Sequence, residues 1–145
     1  MGASAWIRYA KYDPDPVVVL NALHERELAD GTYHWAEPDV PRPTSIQGLL
    51  ELYGEYERLT VAGTHSVLDV FEVRDGVVPW TVRPLDDATI LEKFGTATPT
   101  REQFDAVYKA DELDELDGFR WNGRFTTLFV DGVPDTTVVW GISGD

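Results

Sequence analysis

Large and polar side chains alternate with period two from Ala5 to Tyr12, an aromatic-rich run that predicts a β-strand. Asp13-Pro14-Asp15-Pro16 ends it. Proline lacks an amide donor and presets φ, so these residues suit the first turn of a helix capped by Asp13 or Asp15. That helix is expected from about Pro16 to Ala29, stopping near Gly31. Thr32 to Pro43, with three prolines in its last six positions, reads as irregular. Thr44-Ser45-Ile46-Gln47 matches a capping box, in which the Thr44 hydroxyl and the Gln47 side chain satisfy each other's backbone amides. A second helix should run from Ser45 to about Tyr56, burying Ile46, Leu49, Leu50 and Tyr53.

The strongest strand pattern lies from His65 to Arg74, and apolar residues on both of its faces predict a central place in the sheet. Thr81 to Pro84 is a short extended piece. Asp86 or Asp87 should cap a helix through Ile90, Leu91 and Phe94, closed by Gly95 in the left-handed region. Thr98-Pro99 opens a further helix with Phe104, Val107 and Tyr108 on one face. Phe125–Val130 and Thr136–Ile142 then form a hairpin around Asp131-Gly132-Val133-Pro134, and Gly141-Ile142-Ser143-Gly144 reads as the start of a polar tail. The resulting order, β-α-α-β-α-α-β-β, predicts an α+β fold: a mostly antiparallel sheet with helices packed on one face. At 145 residues, two separate cores would each be marginal, so residues 1–145 are expected to form a single domain.

Charge narrows the partners. The chain carries 26 acidic and 12 basic residues, a formal net charge of −14, with the surplus spread over both halves. Such a field repels phosphate backbones and anionic membranes and attracts basic proteins. The expectation is therefore no nucleic-acid partner and no membrane partner. With no cysteine, the sequence offers no disulfide, thiolate metal site or thiol nucleophile. Neither a leader-like segment nor an apolar run of membrane-spanning length is present, and the expected location is cytoplasmic.

Three constellations carry candidate chemistry. His24 and Glu27 share one side of the first helix with Leu20, Leu23 and Leu28, an arrangement suited to acid/base work if the two groups meet in an apolar setting. On the expected central strand, His65 and Asp69 share a face with Val67, Phe71 and Val73. A carboxylate there needs a partner, and Arg8, Arg83, Arg120 or Arg124 could supply one. Tyr33-His34-Trp35 places aromatic groups in an irregular segment, a composition found at recognition surfaces and equally at loops pinned to a core. The acidic stretch Asp111 to Asp117, including Glu112, Asp114 and Glu115, reads as a solvated turn open to a cationic partner. No zinc-protease pattern, phosphate-binding loop, dinucleotide fingerprint or nucleophile elbow occurs, so no metal and no cofactor are expected.

Gly63-Thr64-His65-Ser66-Val67-Leu68-Asp69-Val70, Phe94-Gly95-Thr96 with Pro99-Thr100-Arg101, and the closing Trp140-Gly141-Ile142-Ser143-Gly144-Asp145 resemble a group of small acidic bacterial proteins with no known activity. The resemblance spans most of the chain and implies a shared fold, without a function. The residues themselves point to a non-enzymatic acidic binding module, of the inhibitor or immunity type, for a basic protein. The alternative is a small enzyme or ligand-binding domain with a pocket between helices and sheet, using Asp69 and His65 or His24 and Glu27.

Overall fold

The computed structural model describes residues 4–113 and 120–144. The strands are β1 (Ser4–Lys11), β2 (Glu72–Val73), β3 (Thr81–Pro84), β4 (Asn122–Val130) and β5 (Val133–Ser143), and they lie side by side in the order β1-β5-β4-β3-β2. β5 pairs antiparallel with β1 and β4, whereas β3 pairs parallel with both β4 and β2. The sheet is therefore mixed, and β5 alone runs against the other four strands. Five α-helices connect them among the described residues: α1 (Pro16–Asp30), α2 (Ile46–Glu55), α3 (Glu57–Ala62), α4 (Asp87–Phe94) and α5 (Arg101–Lys109).

Local signals hold where the interaction is short-range. Asp15 caps α1 by accepting from the Val17 amide at 2.9 Å, Pro16 occupies the first turn, and Gly31 closes the helix in the left-handed region. Asp86 caps α4 by accepting from the Thr89 amide at 2.7 Å. At α2 the cap is Ser45, whose hydroxyl accepts from the Gly48 amide at 3.0 Å, not Thr44. Gln47 turns instead toward Glu51, at 3.2 Å. The reciprocal capping box sits on α5, where the Thr100 hydroxyl accepts from the Gln103 amide at 3.2 Å and the Gln103 side chain accepts from the Thr100 amide at 2.9 Å.

Helices cover both faces of the sheet, not one. Along β1, Trp6 points to a core shared with Val19, Leu20 and Leu23 of α1 and with Val139. Its neighbours Ile7 and Tyr9 point the other way, toward Phe94 of α4, Phe104 of α5, Val138 and Trp140. Alternation along a strand sends successive side chains to opposite faces, so apolar groups on both require cover on both. A third cluster, Tyr33, Leu49 and Leu68 with Tyr53 and Phe71 beside it, seats α2 against the chain around residue 70.

The segment from His65 to Arg74 departs furthest from expectation. It is not a central strand. Val67–Asp69 forms one 3-10 turn, and only Glu72–Val73 joins the sheet, as the outermost strand. Its apolar residues on both sides arise from a turn enclosed by α1 and α2, which gives the same sequence pattern as a buried strand. The expected element order is corrected accordingly: α3 is an added helix and Thr81–Pro84 is a true strand. The presumed tail is also structured, because β5 continues through Ser143 and that residue is fully buried.

Candidate functional site

At one end of the sheet, where β5 finishes and β3 and β4 begin, the buried carboxylate of Asp69 collects donors from three separate segments. The Thr64 amide lies 2.9 Å from Oδ1 and 3.1 Å from Oδ2, and the Thr64 hydroxyl donates to Oδ1 at 2.9 Å. The His65 amide donates to Oδ2 at 3.0 Å, the Tyr53 hydroxyl to Oδ1 at 3.1 Å, and the Ser143 hydroxyl to Oδ2. Asp69 is 0% exposed, and among the described residues no salt bridge reaches it. The arginine partner expected from the sequence is replaced by two amides and three hydroxyls. A carboxylate with both oxygens saturated in this way is held as a rigid acceptor. Burial, then the neighbouring Asp69 charge, pushes the Tyr53 phenol far up, so it remains a donor.

The turn that makes this possible begins at Gly63, with φ 71° and ψ −173°, a conformation essentially confined to glycine. His65 follows with φ 53°, which aims its amide at Asp69 and leaves its half-buried ring beside His34. There the imidazole stacks on that of His34, with centroids 4.3 Å apart and planes 7° from parallel, while the His34 amide donates to Thr64 O at 3.0 Å. His65 and Asp69 are thus joined through backbone, not through the imidazole.

An aromatic ladder borders the same node. Trp121 stacks on Trp80 at 4.2 Å, Trp80 stacks on Phe71 at 5.5 Å, and Tyr53 meets both Phe71 and Trp80 obliquely. Trp80 (φ 67°) and Trp121 (φ 66°) both occupy the left-handed region just before their strands. Their amides make a chain of short bonds, Trp80 to Trp121 O at 2.6 Å and Trp121 to Ile142 O at 2.7 Å. Left-handed backbone at two bulky residues is costly and persists only where the surroundings over-determine it. Trp121 is clasped so closely that a Cβ on Gly63 would lie 2.6 Å from its ring and one on Gly144 2.2 Å from it.

Beyond the ladder a groove of about 530 Å³ opens along β2, lined by Leu50, Phe71, Val78 and Trp80 together with the ion pair of Glu72 and Arg74, 2.6 Å apart. Leu50, Val77 and Val78 are each 40–49% exposed, giving an apolar strip beside the exposed acids Glu72 and Asp75. Sequence reasoning gave Tyr53 only a place on a buried helix stripe and Ser143 only a place in a polar tail, and it did not single out Trp80 or Trp121. The only signal was positional: Trp80 and Trp121 each stand immediately before a β-rich run.

The remaining candidates are separated from one another. His24 is buried and its Nε2 lies 2.8 Å from Val70 O. Glu27 turns to β1, where Arg8 Nε donates to Oε2 at 3.1 Å and Arg8 Nη2 pairs with Oε1. The two side chains expected to work together are therefore each bound elsewhere, although His24 borders a groove of about 690 Å³ between α1 and the start of α2. Tyr33 is buried, and the Arg42 guanidinium lies 4.5 Å over its ring and 5.7 Å from that of Trp35. Trp35 donates to Val40 O at 2.8 Å, so both aromatics pin the loop, leaving His34 exposed. Asp111 and Glu112 are exposed, whereas Asp114 and Glu115 lie outside the described residues.

Burial holds the His24 imidazole below its usual range, against a smaller upward pull from the carbonyls of Val70 and Val67. The unfolded chain accepts a proton there near pH 6.5, while the folded protein resists it. The stability associated with His24 is thus present above that pH and is lost as the pH falls below it. Urea midpoints should decline from about pH 7 to about pH 5, and His24→Gln should flatten that part of the profile. An unchanged slope in the variant would assign the acid sensitivity to other groups.

Among the described residues no three His, Asp or Glu side chains are grouped to hold a metal ion, and no helix is long and apolar enough to cross a membrane. No protein-family model, curated protein or solved structure matches this chain.

Proposed function

We propose that this protein is a non-enzymatic acidic binding module that engages a basic protein partner through the groove along β2. The observation that carries the reading is the division of labour among its ionisable groups. His24, Glu27 and Asp69 are each held by a partner within the packed fold, while Glu72, exposed and paired with the exposed Arg74 at 2.6 Å, and Asp75 flank an open apolar strip. Aromatic and aliphatic groups that are partly exposed beside carboxylates suit a surface in which apolar contact supplies residence time. The net charge of −14 adds long-range attraction for a cationic partner and raises its encounter rate. Such a module fits an inhibitor or immunity-type role, in which a basic protein is neutralised by occupying its surface.

The test is affinity capture from the native cell extract with the wild-type chain, Trp80→Ala and Glu72→Lys. The expected result is a basic protein retained by the wild type at low salt, eluted as ionic strength rises, and depleted at least about tenfold by either variant. Retention that is equal for all three chains, or no basic protein retained at all, would remove the proposal.

A further inference from the structure

The two edges of the sheet are finished differently. β2 is two residues long and offers little backbone to pair with. β1 spans eight residues and, among the described residues, has only β5 beside it, so its outer side is a full-length strand edge. Such an edge is a template for a further strand unless something blocks it.

The register shows which groups face outward. The Tyr12 amide donates to Asp135 O at 3.0 Å, next to the Lys11–Thr136 pair. In an antiparallel ladder the bonded residues alternate, so even-numbered residues of β1 bond to β5 and the backbone groups of Ala5, Ile7, Tyr9 and Lys11 point away from it. The two central outward carbonyls are both occupied by arginine side chains. Arg8 Nη1 donates to Ile7 O at 2.8 Å, and Arg26 Nη2 reaches from α1 to Tyr9 O at 2.9 Å. Arg8 is itself anchored by the buried carboxylate of Glu27, which holds its guanidinium over the edge.

We infer that Arg8 and Arg26 form a carbonyl lock on β1 that prevents the sheet from extending across a two-fold axis into a second copy of this chain. The competing arrangement is specific. Antiparallel pairing of two β1 strands, with Ile7 opposite Tyr9 of the second copy and Ala5 opposite its Lys11, would use the whole strand and is self-complementary, as a two-fold interface must be. In that arrangement Ile7 O and Tyr9 O accept amides, and the two guanidinium groups must leave. The lock works because each carbonyl already has a charged donor and because displaced guanidinium groups would bring like charges from both copies together. Glu27 thereby acquires a role that its place among leucines on α1 did not suggest: it positions Arg8.

The experiment compares the wild type, Arg26→Ala, and the double variant Arg8→Lys with Arg26→Ala, by sedimentation equilibrium over a range of concentrations. Lysine keeps a cation for Glu27 but is a single point donor that cannot bridge to Ile7 O at the same time. Circular dichroism confirms that each chain is folded, and Arg26→Ala, an exposed site, serves if the double variant is not. The expected result is a monomeric wild type, a dimer in the variants, and a dissociation constant at least about tenfold lower for the double variant than for the single one. Adding Ala5→Pro, which removes an outward amide without removing a bond to β5, should restore the monomer. Folded variants that stay monomeric at all concentrations would overturn the inference, as would a dimer that survives Ala5→Pro.

Discussion

Replacing Asp69 with alanine should lower the unfolding free energy by about 3–5 kcal/mol, a change in the upper range for a single substitution. The three hydroxyls now directed at its carboxylate, from Tyr53, Thr64 and Ser143, can rotate toward other acceptors. The Thr64 and His65 amides cannot, because the backbone fixes their direction. Two buried amides left without acceptors cost about 1–3 kcal/mol each, and the cavity left by the carboxyl group adds to this. Asp69→Asn keeps the shape but turns an amide group toward one set of donors, and should fall between the wild type and alanine. Guanidinium titrations followed by tryptophan fluorescence measure both, since Trp121 borders the node. A loss under about 1 kcal/mol for the alanine variant would show that the five donors do not depend on this carboxylate.

Gly63→Ala should cost about 3–4 kcal/mol, from two independent sources. Its backbone, with φ 71° and ψ −173°, is available to alanine only under strain. The new methyl group would also stand 2.6 Å from the Trp121 ring and 2.8 Å from Asp69 Oδ2, closer than carbon atoms approach in real structures. The two sources separate by a double-mutant cycle. Trp121→Leu removes much of the ring and should recover part of the loss in the Gly63→Ala background, leaving the backbone share behind. Additive losses in the double variant would mean that the ring is not what the methyl group meets.

These two positions also show where the sequence was legible. Asp15, Asp86, Gly31 and Gly95 act on residues two to four positions away, so the two glycines could be read directly and the two caps to within Asp13 or Asp15 and Asp86 or Asp87. The terminal hairpin was legible as two β-rich runs, but its turn is Asp131-Gly132 alone: Val133 and Pro134, expected in the connection, begin β5 and pair with Val130 and Phe129. Thr44 and Ser45 show the limit even of local signals: adjacent residues could each cap α2, and one position decides which does. His24 and Glu27 share a helix side as expected, yet helical spacing cannot show that the first faces Val70 O and the second faces Arg8. The candidate catalytic pair was real as a pattern and absent as a pair.

The groove and its aromatic ladder were less visible still. Phe71, Trp80 and Trp121 are far apart in the chain and meet because β2, β3 and β4 lie side by side. The parallel pairing of β3 with β4 depends on α4 and α5 crossing the second face of the sheet between them, and an element order alone does not state which face a helix will cover. The fluorescence of a stacked tryptophan pair at this end of the sheet offers a direct reporter for binding at the groove.

By itself the amino-acid sequence determined the α+β class, the net negative charge, the ends of α1 and α4 and the two runs of the terminal hairpin. Each of these follows from residue chemistry or from contacts within about four positions. Only the tertiary structure decided that helices cover both faces, that residues 65–74 form a turn and an edge, and that Asp69 gathers donors from residues 53, 64, 65 and 143. The reason is physical. A buried carboxylate must be satisfied, but whether by a cation or by amides and hydroxyls depends on which distant segments the packed chain brings to it.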